Sequence, residues 1–188
     1  MGRVLVLSIV IFVSACAAPQ SRLDEQGTFF FQGEPFTVSA PQACMHNPSV
    51  RDSPNSVRFT ERRGGWQAAG DYSVAIYALP EGVRDEGSFR PMVRNIFNRS
   101  VEEAGNRVKS GDDVTVNDRP AFQGVSTDDS KAVVVSTNIL FPNHIVMVQL
   151  LYPWDLKREA EPEIPWHCYQ GFIESIEYHP VKRQEVTL

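Results

Sequence analysis

The chain has 188 residues, with 18 lysines and arginines against 23 aspartates and glutamates, a formal charge of −5 at neutral pH. That length is one domain's worth, and a core of that size buries roughly 70% of the unfolded surface, so folding requires no metal or disulfide-dense scaffold. The acidic balance, with no run of more than two consecutive basic residues, excludes nucleic acid as a partner, because affinity there comes from clustered basic side chains on phosphate.

Arg3 is followed by an apolar run from Val4 to Val13, broken only by Ser8, then by Ser14-Ala15 and Cys16. A basic start, a short apolar stretch and small residues form an export signal over residues 1–15. The run is too short to span a bilayer, which takes about 20 apolar residues. Val13-Ser14-Ala15-Cys16 resembles the lipobox of bacterial lipoproteins. The resemblance implies cleavage before Cys16, lipid on its sulfur and acylation of the new N-terminus. Ala17 is not the aspartate that resembles an inner-membrane retention signal, so outer-membrane sorting with the domain facing the periplasm is expected in a Gram-negative source. Cleavage leaves 173 residues, 17 basic against 23 acidic. Residues 16–27, polar with one proline, read as the lipidated N-terminus and its tether.

The folded domain is expected over 28–178. Thr28–Gln32 and Pro35–Ser39, separated by Gly33-Glu34, predict a hairpin. Residues 41–56 hold three prolines and no apolar period, which predicts a loop. Val57–Arg62 and Tyr72–Leu79 read as strands around Gly64-Gly65. The second is apolar on both faces, as in a strand well inside a covered sheet. Phe89, Met92, Val93, Ile96, Phe97, Val101 and Ala104 share one helical stripe, predicting a helix over Ser88–Ala104 with Ser88 as N-cap and Gly105 as its stop. Pro91 in the first turn loses no intrahelical bond. The opposite face mixes charge signs and so lacks the basic excess of a membrane-surface helix.

Four strands follow as a meander: Val108–Val116, Arg119–Thr127, Ala132–Phe141 and Ile145–Tyr152, with polar turns at Asn117-Asp118, Asp128-Asp129-Ser130 and Pro142-Asn143. The last two are apolar on both faces and belong at a sheet centre. Residues 153–163 read as a solvated crossover. Ile164, Cys168, Phe172 and Ile176 recur every four residues and predict a closing helix over Ile164–Tyr178, with Cys168 on its buried stripe. Residues 179–188 read as a polar, fraying tail.

If Cys16 carries lipid, Cys44 and Cys168 remain. Their spacing excludes a CxxC motif, and an even remainder in an oxidising compartment is the arithmetic of a disulfide; two buried free thiols are the alternative. A bridge closing so long a loop is worth about 4–5 kcal/mol in the chain-entropy picture. His46, His144, His167 and His179 make no HExxH or His-x-His pattern, and no GxSxG elbow, SxxK pair or P-loop occurs. Gly64-Gly65 after Arg62-Arg63 reads as a turn. Asp112-Asp113 and Asp128-Asp129 lack the ligand alternation of a calcium loop and read as solvated turns. Glu159, Glu161 and Glu163 read as a solvated charge run. Tyr152, Trp154 and Trp166 flank the crossover. They are either a candidate partner or ligand groove or a hydrophobic lid over the sheet edge.

The order of elements over 28–178 resembles the Mog1/PsbP-like α/β/α sandwich. Phe36-Thr37-Val38-Ser39-Ala40-Pro41 is similar to the family's early strand ending in proline. Asp118-Arg119-Pro120-Ala121 is similar to a turn that usually reads glycine-x-proline-alanine, and Phe172-Ile173-Glu174-Ser175-Ile176 resembles the closing helix. The resemblance implies an α+β fold, an antiparallel sheet of six to seven strands covered by helices, and a binding rather than a catalytic role; the motif search itself gives no reason to expect a cofactor. The expected function is that of a lipid-anchored envelope lipoprotein whose periplasmic domain binds or scaffolds another envelope component. A small-ligand or lipid-binding lipoprotein is the alternative, and an uncharacterised hydrolase stands third.

Overall fold

A computed structural model describes residues 23–40, 44–45, 48–62, 68–127, 132–153 and 163–180. Its centre is a seven-stranded antiparallel sheet in the order β3-β4-β5-β9-β8-β7-β6. The strands are β3 (Ser49–Ser53), β4 (Ser56–Arg62), β5 (Ala68–Ala78), β6 (Arg107–Val116), β7 (Arg119–Thr127), β8 (Ala132–Phe141) and β9 (His144–Pro153). The predicted meander is β6 to β9, and its most apolar members, β8 and β9, lie at the centre with β5. The fold class is α+β, as the element order implied.

Strand parity divides the core. Val57 and Phe59 of β4, Tyr72, Val74 and Ile76 of β5, and Val146, Val148 and Leu150 of β9 face one layer and are buried. That layer holds α2 (Trp166–Glu174), whose Cys168, Tyr169, Phe172 and Ile173 all point inward. Phe172 sets its ring edge against Phe59 and Tyr72, at 5.8 and 5.3 Å between centroids, a favourable geometry for aromatic pairs. The opposite layer is α1 (Glu86–Glu103), which presents Phe89, Val93, Phe97 and Val101 to Phe122 and Ile145. Gly124 lets it approach: a Cβ there would lie 2.4 Å from the Phe97 ring. Helix α1 packs over β6, β7 and β8, and on its side of β5 Tyr77 stays 46% exposed.

Several expectations are corrected. The 41–56 segment contains β3, paired with β4 from Ser49↔Thr60 to Ser53↔Ser56. With Val50 its one apolar residue, it shows no period-2 signal, and a polar composition suits an edge strand. The α1 N-cap is Asp85, whose carboxylate accepts from the Ser88 N–H at 2.9 Å while the Ser88 hydroxyl accepts from the Asp85 N–H, a capping box that places Ser88 at the third helical position. Gly105 does end the helix, at φ +72°. Asp112 and Asp113 lie inside β6, not in a turn, and Asp113 pairs with Arg94 and Arg90 of α1 at 3.0 and 3.6 Å.

The closing helix stops at Glu174. Ser175 Oγ accepts from the Ser39 N–H at 3.2 Å, and the chain then runs as β10 (Glu177–Tyr178). Strand β10 joins β2 (Phe36–Ser39), which pairs with β1 (Thr28–Phe30), so the predicted hairpin builds a separate three-stranded sheet, β1-β2-β10. Phe29, Phe36 and Val38 carry that sheet into the α2-side core. Both ends of the expected domain extend. Leu23 bridges Phe29, Asp24 accepts from the Gln26 and Thr28 N–H groups, and the His179 N–H donates to the Pro35 carbonyl at 2.7 Å. The last part of the predicted tether and the first residue of the predicted tail are thus built into the fold.

Candidate functional site

The β6–β7 connection is a two-residue turn in which Asn117 and Asp118 adopt φ of +47° and +60°. Positive φ at both positions marks the mirror-image turn that fits right-twisted strands, and Asn and Asp tolerate it. The Asn117 side-chain amide donates to the Glu174 carbonyl at 3.4 Å, tying the turn to the end of α2. Arg119, the first residue of β7, has the parity of Ala121 and Val125 and faces the α2 layer. Its guanidinium lies 4.3 Å from the Phe141 ring centroid and 5.6 Å from that of Tyr178. Phe36 completes the aromatic wall, edge-on to Phe141 at 4.9 Å and tilted against Tyr178 at 5.1 Å.

Between these groups lies a cavity of about 370 Å³, within the range of small-ligand sites. Val116, Ile139, Ile173 and Ile176 give it apolar walls, and Asn117, Glu177 and His179 add polar groups. Among the described residues Arg119 makes no ion pair. A guanidinium held over aromatic rings is a fork of donors matched to a carboxylate or phosphate, while the rings suit an apolar body.

His179 Nε2 lies 3.1 Å from Thr37 Oγ1 and 3.5 Å from Glu177. A hydroxyl–imidazole–carboxylate relay uses opposite ring nitrogens. Here both contacts fall on one nitrogen, so the ring does not relay a proton from Thr37 to Glu177. His144 opens β9, with Nε2 3.0 Å from Glu34 and its ring edge-on to Phe36. Deeper in the core, the Tyr169 hydroxyl lies 2.9 Å from Thr137 Oγ1 and 3.0 Å from the Val148 carbonyl. Burial pushes that phenol well above its ordinary range.

Cys44 and Cys168 are joined by a disulfide with Cα atoms 5.9 Å apart, inside the span such a bond requires. His167 lies against it, with Nε2 3.1 Å from Cys168 Sγ and 3.8 Å from Cys44 Sγ. Of the three aromatics that flank the crossover, Tyr152 and Trp166 fall within the described residues. Tyr152 on β9 packs on the α2-side core, and Trp166, 44% exposed, starts α2 edge-on to Tyr169. Neither lines the Arg119 cavity. Cys16, Trp154, His46, Gly64-Gly65, Asp128-Asp129, Glu159 and Glu161 lie outside the described residues. Among the described residues no helix is long and apolar enough to cross a membrane.

Arg119 was not singled out from sequence as a site residue. The available signal was parity: residues 119, 121, 123 and 125 share one face of a strand, and Ala121 and Val125 mark that face as buried.

This is a PsbP-like α+β fold. The chain superposes on the solution structure of cyanobacterial PsbP (CyanoP) from Synechocystis sp. PCC 6803 with a TM-score of 0.56 and 11% identity, over 80% of this chain and 91% of that one. A Bacteroides thetaiotaomicron protein aligns over 83% of this chain and 50% of its own, with a TM-score of 0.48 and 12% identity. No family model and no curated protein matches the sequence. Likeness at this identity speaks for the fold alone.

Proposed function

We propose that the chain is a lipid-anchored binding module of the bacterial envelope, exported by residues 1–15, acylated at Cys16 and held at the outer membrane with its domain facing the periplasm. The domain binds another envelope component, and the Arg119 cavity is where it does so. One observation carries the location: a guanidinium without an ion pair among the described residues, held over Phe141 with Tyr178 beside it, at a cavity lined by both apolar and polar side chains. That chemistry selects an acidic group attached to an apolar or aromatic body, such as a carboxylate-bearing segment of a partner protein. The lipobox-like Val13-Ser14-Ala15-Cys16 supports the anchoring.

The test is photo-cross-linking in intact cells from position 177, at the cavity, in the parent chain and in an Arg119→Gln background. A specific protein adduct that Arg119→Gln abolishes, while the domain stays folded, is the expected result. An adduct unchanged by the substitution, or none under several growth conditions, overturns the reading. The cavity volume supports a second reading, a free small ligand of the same chemistry. It predicts an anionic molecule of low mass released from the purified parent and missing from the Arg119→Gln protein.

A further inference from the structure

We propose that the dithiol form of this protein binds a thiophilic d¹⁰ cation, Zn²⁺ or Cu(I), through Cys44 Sγ, Cys168 Sγ and His167 Nε2. The three donor atoms lie within 4.8 Å of one another. In a tetrahedral site with metal–sulfur bonds of about 2.3 Å and metal–nitrogen bonds of about 2.0–2.1 Å, a sulfur and a nitrogen ligand stand roughly 3.5 Å apart. The imidazole of His167 is already at that separation, 3.1 Å from one sulfur and 3.8 Å from the other. Only the two sulfurs must part, from bonding distance to about 3.8 Å. With Cα atoms 5.9 Å apart, side-chain rotation is sufficient.

The surroundings favour the same assembly. Cys168 is fixed on the buried stripe of α2, whereas Cys44 is half-buried in a turn and His167 is exposed. The buried thiol therefore anchors the site, the other two donors adjust, and the fourth position opens toward water. Two thiolates and an imidazole are a donor set for zinc or cuprous ions rather than for calcium or magnesium. The site lies at the opposite end of α2 from the Arg119 cavity and owes nothing to the function proposed for that cavity.

The balance is simple. An external dithiol reduces the bridge by exchange, giving two protein thiols and one external disulfide. Binding a divalent cation then releases the two thiol protons, and the neutral imidazole donates its Nε2 lone pair. Every newly made chain also holds these cysteines as thiols before any bridge forms, so cation binding and oxidation compete for the same sulfurs.

The test uses the full chain carrying Cys16→Ala, whose remaining thiols are Cys44 and Cys168, in detergent. It is reduced with a phosphine, freed of reductant without oxygen and titrated with Co²⁺. Zn²⁺ and Cu(I) then compete for the site in separate arms. One equivalent should bind with a thiolate-to-cobalt charge-transfer band, displaced by Zn²⁺ or Cu(I), and the disulfide form should show no such band. His167→Ala should weaken Zn²⁺ binding by about tenfold or more, and His167→Cys should restore it. Four results would each overturn the proposal. They are no band, binding without one-to-one stoichiometry, affinity unchanged in His167→Ala, and loss of near-UV circular dichroism on reduction, which would mean that the donors are not held together.

Discussion

Tyr169 is a polar residue held entirely within the core. Its hydroxyl is wholly buried between Thr137 and the Val148 carbonyl, and Thr137 also accepts from Gln123 Nε2 at 3.1 Å. Tyr169→Phe removes the hydroxyl and its contacts with Thr137 and the Val148 carbonyl, a loss of about 0.5–1.5 kcal/mol in chemical denaturation. The pH dependence follows from the raised phenol. In the unfolded chain this group ionises near pH 10, and in the folded chain it stays protonated beyond that. Its contribution is complete below about pH 10 and is lost as pH rises above it. Stability of the parent should therefore fall more steeply than that of Tyr169→Phe between about pH 10 and 12. Parallel slopes would show that Tyr169 is not the group responsible.

The disulfide gives a second residue-scale test. Cys44→Ser should destabilise the protein by about 2–5 kcal/mol, and Cys168→Ser by more, since it adds a buried hydroxyl. The double mutant should lose no more than Cys168→Ser alone, because one bond is shared. Additive losses would refute the shared bond. The pairing was legible because the cysteine count leaves few choices. Its neighbour His167 was legible only as a residue beside Cys168, since chain adjacency says nothing of the approach to Cys44, 123 positions away. Arg119 was hidden for the same reason, its aromatic partners coming from β8 and β10.

At the scale of elements, legibility followed apolar periodicity. Strands β7 to β9 and helix α1 carry strong patterns and, together with the more polar β6, stand where they were expected. Strand β3 is an exposed edge with one apolar side chain. Strand β10 was masked because Ile176 prolongs the four-residue recurrence of α2 beyond its last turn, and the buried position there is filled by a chain already leaving the helix. The contact between α1 and β7 makes the clearest element-level prediction. Gly124→Ala sets a methyl group 2.4 Å from a ring atom of Phe97 and should destabilise the fold by about 1–3 kcal/mol through overpacking. Pairing it with Phe97→Leu should recover part of that loss. If Gly124→Ala is neutral alone, Phe97 has room to move and the close approach does not hold α1 in place. The cap is milder. Hydrogen bonds from Ser88 hold the Asp85 carboxyl below its usual range, so its contribution to α1 is present above about pH 4 and fades as pH falls through the folded value.

At the scale of the whole molecule, the described fold starts at Leu23, in contact with Phe29 of the small sheet. An anchor at Cys16 would be only seven residues away. Even fully extended, that length reaches about 25 Å, so the domain would work close to the leaflet. A thioether-linked diacylglycerol with an N-terminal acyl chain places several chains in the bilayer, and two or more hold stably where one is marginal. Cys16→Ala should therefore yield an uncleaved or soluble product, read by the mass of the chain and its partition between membrane and aqueous fractions. Mature protein still recovered with membranes would remove Cys16 as the anchor. With Cys16 intact, density-gradient fractionation of a Gram-negative source should place the protein with the outer membrane, because Ala17 does not match the retention aspartate. Exclusive recovery with the inner membrane would reverse the sorting while leaving the anchor in place, so the two measurements fail independently.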